Sequence, residues 1–255
     1  MTHYKRLIAR LDCKGDKVIK GIQLEGLRVV GALNDVARAR YAEGADELFL
    51  LDAVASLYDG SDLPKALEEL TRDCFIPITV GGGIRTIEDA DRLFRAGADK
   101  VALNTGAISN PSLISELAKK YGSQAVVLHI EAKRQEVAGE LLYKCYVENG
   151  RDDSGLLVDS WVAEAVSLGA GEVLVTSVDR DGTLTGPEFP LLQKVRVSVN
   201  VPVVAGSGFR DGADAAAAFG VLNLDGVAIG SALHSKKTTI SDIRQFCKAE
   251  RVRVR

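Results

Sequence analysis

The decapeptide IPITVGGGIR at Ile76–Arg85 returns as VPVVAGSGFR at Val201–Arg210, proline for proline and arginine for arginine, at an offset of 125 residues. GADELFLLD (Gly44–Asp52) returns as GAGEVLVTSVD (Gly169–Asp179), its glutamate displaced by the same interval. VALNTG (Val101–Gly106) is echoed by VAIGSA (Val227–Ala232), and RLDCKG (Arg10–Gly15) by HIEAKR (His129–Arg134). Self-similarity of this length marks a duplicated structural unit. Whatever one half folds into, the other half folds into as well.

Each half alternates short apolar runs with amphipathic ones. Strand candidates are Leu7–Leu11, Glu47–Leu51, Ile78–Val80, Lys100–Leu103, Ala125–Ile130, Glu172–Val178, Val201–Ala205 and Gly226–Ile229. Helical periodicity falls at Ile87–Ala96, Pro111–Tyr121, Val158–Leu168 and Asp211–Phe219, among other places. Near-continuous apolar strands, each followed by a helix, indicate a parallel sheet covered on both faces. Eight such units in 255 residues match a (β/α)₈ barrel, here an α/β TIM barrel made of two fused half-barrels. Gln135–Asn149 alternates like a β-hairpin and is expected to decorate the loop after strand five. No Pro/Ser/Gly-rich linker divides the chain, so residues 1–255 are expected to form one domain.

Composition excludes several classes. A net charge of −3 gives no basic footprint for nucleic acid or membrane surfaces. No apolar run reaches the roughly 18 residues of a membrane span. A short polar lead runs directly into the first strand, so no secretory leader is expected. Cys13, Cys74, Cys145 and Cys247 lack CxxC spacing, and free thiols in a reducing cytoplasm are the expectation. His3, His129 and His234 form no pair at metal-ligand spacing, so no metal site and no cofactor is expected. No GxSxG elbow is present either, which leaves acid–base chemistry to carboxylates and lysine.

The carboxylates are placed for it. In this fold the C-terminal ends of the strands build the active site. Asp12 and Glu131 end strands one and five, diametrically opposed and related by the repeat. Two carboxylates facing one pocket can serve as general acid and general base. Capping a loop, or pairing with Lys14 and Lys133, is the ordinary alternative for either one alone.

The glycines point to the substrate. GGGIR after strand three and AGSGFR after strand seven bring bare backbone N–H groups to the rim, at Gly83 and Gly208. Asn104-Thr105 and Gly230-Ser231 follow one strand later and complete each cradle with a hydroxyl. A single Gly-rich turn often serves only to permit positive φ. Two of them, each with its hydroxyl partner, imply a substrate with a phosphate at either end.

These residues resemble a known family. RLIARLDCKGDKVIKG, GADELFLLD, IPITVGGGIRTIEDADRLFRAGADKVALNT, GSQAVVLHIEAKR and GAGEVLVTSVDRDGT are similar to the cyclase subunits of imidazole glycerol phosphate synthase, in histidine biosynthesis. The isomerase of the preceding step is a sister half-barrel duplication, but VIKGIQLEGLR and TSVDRDGT look closer to the cyclase. The resemblance implies a lyase that takes ammonia from a glutaminase partner. Its doubly phosphorylated substrate, a ribulosyl phosphate joined to an aminoimidazole-carboxamide ribonucleotide, is cyclised and cleaved. Imidazole glycerol phosphate and the aminoimidazole ribonucleotide are released.

Residue by residue, the resemblance makes Asp12 a catalytic carboxylate and Lys20 the lysine of the first loop. It assigns Gly83, Asn104 and Thr105 to one phosphate, and Asp181, Gly182, Gly208, Gly230 and Ser231 to the other. Arg6, Glu47, Lys100 and Glu172 match four charges that gate ammonia at the bottom of the barrel, where a salt-bridged plug is the plainer reading. The chain departs from the family at two places. Glu131 stands where relatives have Asp, which shifts the carboxylate by about 1.5 Å, one C–C bond. Val29-Val30-Gly31-Ala32-Leu33 replaces an acidic-small-Gly-Asp-Pro segment. Two alternatives therefore stay open: a paralogue amidating a sugar for a surface polysaccharide, or a non-catalytic scaffold activating a glutaminase.

Overall fold

The computed structural model describes residues 4–55, 63–137 and 139–255; His3, and Ala138 within the expected hairpin, lie outside them. In chain order the strands are β1 (Arg6–Lys14), β2 (Lys17–Ile22), β3 (Glu25–Ala32), β4 (Glu47–Asp52), β5 (Ile78–Gly81), β6 (Lys100–Leu103), β7 (Val126–Val137), β8 (Glu140–Val147), β9 (Asp152–Leu157), β10 (Glu172–Ser177), β11 (Val203–Ala205) and β12 (Gly226–Ile229). The helices are α1 (Leu33–Ala42), α2 (Leu63–Leu70), α3 (Ile87–Arg95), α4 (Thr105–Ser109), α5 (Ser112–Tyr121), α6 (Val158–Ser167), α7 (Phe189–Ser198), α8 (Gly212–Leu222), α9 (Ser231–His234) and α10 (Ile240–Ala249).

Eight of the strands pair in parallel and close on themselves, in the order β1-β4-β5-β6-β7-β10-β11-β12 and back to β1. The chain is a (β/α)₈ barrel, as expected from its alternation. Period-two alternation along each strand divides the side chains between two cores. Ile8, Phe49, Leu51, Ala102, Val127, Leu174, Val204 and Ala228 fill the barrel interior. Leu7, Leu48, Ile78, Val101, Leu128, Val173 and Val227 face the helices, among which Trp161 of α6 is buried.

The duplication is visible in the bonds as well as the letters. Asp99 Oδ2 accepts from the Ile78 amide at 2.8 Å, and Asp225 Oδ2 accepts from the Val203 amide at 3.0 Å. Thr86 caps α3 and Asp211 caps α8, each side chain accepting from the first-turn amides that a helix start leaves unpaired. Asn104 (φ −128°, ψ −91°) and Gly230 (φ −118°, ψ −76°) share one unusual backbone conformation at the ends of β6 and β12.

Two additions break the symmetry. After β1 the chain makes an antiparallel ribbon of β2 and β3, which the sequence suggested only as a loop. Val29 and Val30 sit on β3, with Ile22, Leu27, Val29 and Val30 exposed to solvent. After β7 the expected hairpin forms, and β9 adds a third antiparallel strand. Asp152-Asp153-Ser154-Gly155 reads as a turn, and only pairing with β8 makes β9 extended. Consequently β7 runs on to Val137, and Glu131 lies within the strand at the barrel rim rather than at its end. Among the described residues, no helix is long and apolar enough to cross a membrane.

Candidate active site

Asp12 is buried on the last turns of β1. Its Oδ1 accepts from Arg10 Nε at 2.7 Å and its Oδ2 from Lys20 Nζ at 3.1 Å. Burial would raise its pKa, but the charges of Arg10 and Lys20 outweigh that and hold the carboxyl below its ordinary range. Lys20 is carried in by β2 and bonds Asp181 as well, at 2.8 and 2.9 Å, so the ribbon is tied across the mouth of the barrel. The same closure is made by backbone, the Gln23 amide donating to the Asp181 carbonyl at 2.8 Å. Gly182 permits it: φ is +73°, and a Cβ there would fall 2.3 Å from the Gly21 carbonyl oxygen.

Glu131 is equally buried and differently held. Oε2 accepts from Asn104 Nδ2 at 3.0 Å and from the Gly150 amide, in the β8–β9 turn, at 2.9 Å. No cation is ion-paired to it among the described residues. Burial pushes its pKa up to about 7, against the opposing pull of Arg10 and of the Gly150 amide. Glu131 caps the β8–β9 turn through the Gly150 amide, one of the ordinary alternatives, while Lys133 lies over the Tyr146 ring and Asp12 bonds Arg10 and Lys20. The two differ from a simple facing pair in one respect: Glu131 lines a cavity, whereas Asp12 lies beneath Lys20 and lines neither cavity described next.

The two glycine motifs give two cavities on this rim. One is lined by Gly83, Asn104, Thr105 and Glu131, with the His129 ring at its base. The other is lined by Lys20, Asp181, Gly182, Gly208, Gly230 and Ser231, with Arg10 beneath them. Gly83 (φ +69°) and Gly208 (φ +84°) both adopt the left-handed conformation that favours glycine. A Cβ on Gly208 would sit 2.2 Å from the Gly186 carbonyl oxygen. Thr105 Oγ1 accepts from the Glu148 amide at 3.1 Å, and Asn104 also donates to the Tyr146 carbonyl, so the β8–β9 turn closes the first cavity.

At the opposite end of the barrel, Arg6, Glu47, Lys100 and Glu172 form a closed ring. Arg6 bridges Glu47 at 3.0 Å and Glu172 at 2.5 Å; Lys100 bridges Glu47 at 3.4 Å and Glu172 at 2.6 Å. Burial alone would discharge such groups, but mutual pairing raises the Arg6 pKa and lowers that of Glu172. In this state the ring is a closed plug.

The histidine biosynthesis protein family matches residues 6–239, nearly the whole barrel. The chain belongs to that family. It is 51% identical over 203 residues to the imidazole glycerol phosphate synthase subunit HisF of Legionella pneumophila, covering 80% of this chain and 94% of the relative. The proteins of the same name from Myxococcus xanthus and Leuconostoc mesenteroides are each 41% identical, over 98% and 100% of both chains. Each relative is, by name, one subunit of a larger enzyme.

Three groups at this family member's mouth were not singled out from sequence. Arg10 is buried against Asp12, Thr176 and the Gly206 carbonyl. His129 shares a 3.0 Å hydrogen bond with Thr176 Oγ1, and burial pushes its pKa down to about 3, so it is neutral at physiological pH. Gly150 reaches Glu131 from a turn nineteen residues on. Inward alternation along β1 and β7 could have flagged Arg10 and His129; nothing local marks Gly150. All four cysteines are free and buried. Among the described residues, no group of three or more His, Cys, Asp or Glu side chains is placed to hold a metal ion.

Proposed function

We propose that this chain is the cyclase subunit of an imidazole glycerol phosphate synthase, a lyase of histidine biosynthesis. The observation that carries the reading is a rim with two glycine-lined cavities and two buried carboxyls whose surroundings move their pKa values in opposite directions. A doubly phosphorylated substrate spans the cavities, one phosphate against Gly83, Asn104 and Thr105, the other against Gly208, Gly230 and Ser231. Lys20, Asp181 and Gly182 close the ribbon over it. Asp12, ionised before the step, takes a proton from the attacking ammonia once the substrate has displaced Lys20 from its Oδ2. Glu131, near half-protonated at neutral pH, gives one to the leaving nitrogen. Environments that push two carboxyl groups apart are how one site runs acid and base steps together.

The ammonia comes from a glutaminase subunit docked over the opposite end, and enters when the Arg6–Glu47–Lys100–Glu172 ring opens. Inward charges there have no other solvent to satisfy them, which is why they close on one another when the gate is shut. The expected setting is a heterodimer in the cytosol. The test is reconstitution: the purified chain should cyclise the substrate with ammonium salts alone and with glutamine only when a glutaminase subunit is added. Inability to rescue a histidine auxotroph lacking the cyclase would remove the histidine pathway from the assignment.

Two departures from the pattern that the resemblance implies favour a second reading, ammonia-dependent amidation of a sugar: Glu131 in place of an expected Asp, and the exposed apolar Val29 and Val30 of β3 in place of an expected acidic segment. A non-catalytic scaffold would have no need of two glycine-lined cavities beside two buried carboxyl groups.

A further inference from the structure

Arg10 is a buried charge that the acid–base pair does not account for. It is 1% exposed. Its Nε donates to Asp12 at 2.7 Å, and its Nη1 donates to Thr176 Oγ1 at 2.7 Å and to the Gly206 carbonyl at 3.2 Å. The guanidinium carbon lies 5.9 Å from the centre of the Phe49 ring. Three bonds and a stacking contact fix the plane of the group. The remaining nitrogen, Nη2, is buried with no acceptor.

A guanidinium carries five N–H donors and does not shed its proton. Donors sealed from water without an acceptor cost stability, so such a group needs an explanation. Arg10 lines the cavity of Lys20, Asp181, Gly208 and Ser231, and its charge acts on Asp12, Asp181 and Glu131. It therefore bonds one carboxyl group, acts on the other through its charge alone, and lines one of the cradles. Because Asp12 already balances the charge, the open donor suits a neutral oxygen better than a second phosphate.

We propose that Arg10 is a specificity-determining residue: its unpaired Nη2 donates to a carbonyl or hydroxyl oxygen of the sugar portion of the substrate, next to the phosphate held in that cavity. This rests on the reading that the cavity holds one phosphate end of the substrate. Lysine would not substitute, since a single nitrogen cannot hold Asp12 and Thr176 while also reaching the substrate.

The test compares wild-type protein with Arg10→Lys. Calorimetry with pentyl phosphate and with ribulose 5-phosphate reports binding with and without the extra oxygens. Wild type should bind both probes at two sites and prefer the sugar phosphate at one of them. In Arg10→Lys that preference should vanish, pentyl phosphate affinity should stay within about twofold, and ammonia-dependent kcat/KM should fall about 10–100-fold. If Arg10→Lys does not fold, Thr176→Val, which withdraws the acceptor orienting the fork, is expected to weaken the same preference. An equal kcat/KM in Arg10→Lys, or affinities for both probes falling in parallel, overturns the inference while leaving the acid–base reading intact. A wild-type chain that binds neither probe overturns the two-phosphate reading and this inference with it.

Discussion

Asn104 Nδ2 donates to Glu131 Oε2 at 3.0 Å, linking a cradle residue at the end of β6 to the carboxyl group on β7. The Gly150 amide meets the same oxygen at 2.9 Å, so Oε1 is left to carry a proton. The longer side chain is not a misfit in an aspartate's place, because the β8–β9 turn reaches in to hold it. Glu131→Gln should keep the packing and remove proton transfer, lowering ammonia-dependent turnover by roughly 10²–10⁴-fold, with phosphate affinity unchanged at the Gly208–Ser231 cavity, which Glu131 does not line. Glu131→Asp should also lower turnover, because the shorter carboxylate withdraws from both donors; a displacement on the order of 1 Å can cost about a hundredfold. Steady-state kinetics decides both, and a gain of cyclase activity in Glu131→Asp would favour the sugar-amidation reading.

The pKa of Glu131 predicts two pH dependences. As an acid it must hold its proton, so turnover should decline with a midpoint near pH 7 and lose that limb in Glu131→Gln. For stability, the folded pKa is raised from 4.5 to about 7, so between those values the folded chain binds more protons than the unfolded one. Its contribution is fully present below pH 4.5 and is lost as pH rises through 7, by an amount on the order of 3 kcal/mol. Urea titrations at pH 5 and pH 8 should show Glu131→Gln gaining on wild type only at the higher pH.

Lys20 carries the closure of the β2–β3 ribbon. Lys20→Met keeps the stem and removes three contacts to Asp12 and Asp181. The ribbon should loosen and become the first site of limited proteolysis, and kcat should fall. The Asp12 carboxyl, deprived of one of its two cations, should titrate at higher pH. Unchanged protease resistance would show that the Gln23–Asp181 backbone bond suffices to hold the ribbon shut.

Gly83 and Gly208, one in each cradle, should tolerate no side chain. In Gly208→Ala the new Cβ meets the Gly186 carbonyl oxygen at 2.2 Å, and in Gly83→Ala it meets the Ala55 methyl at 2.7 Å, each on a left-handed backbone. Each variant should lose one phosphate site and keep the other, which calorimetric stoichiometry would read directly.

At the far end, Arg6→Ala leaves Glu47 and Glu172 sharing only Lys100. Removing one partner from a buried ion network is destabilising by about 3–5 kcal/mol. Thermal unfolding should register it. With a glutaminase bound, the ratio of glutamine-dependent to ammonia-dependent turnover should also drop, since the proposed route through the ring is disturbed and the mouth at the other end is not.

How far the letters reached is clear from particular residues. The alternation of Val, Ile and Leu runs with amphipathic helices fixed the barrel, because both periods follow from local geometry alone. The repeat alone pairs Gly83 with Gly208 and Glu47 with Glu172, because duplicated halves fold alike. It could not place Lys20 on Asp181, 161 residues away, or bring Gly150 onto Glu131. Those contacts belong to the ribbon and the β9 addition, which break the symmetry and whose strands are extended only through pairing. Nor could it say which carboxyl would be ionised. Asp12 and Glu131 look equivalent as letters; Arg10 and Lys20 gather around one and burial without a cation surrounds the other. Sequence set the scaffold and the candidate groups, because those depend on neighbours along the chain. Tertiary structure set their charges, because a pKa depends on what the fold brings close in space.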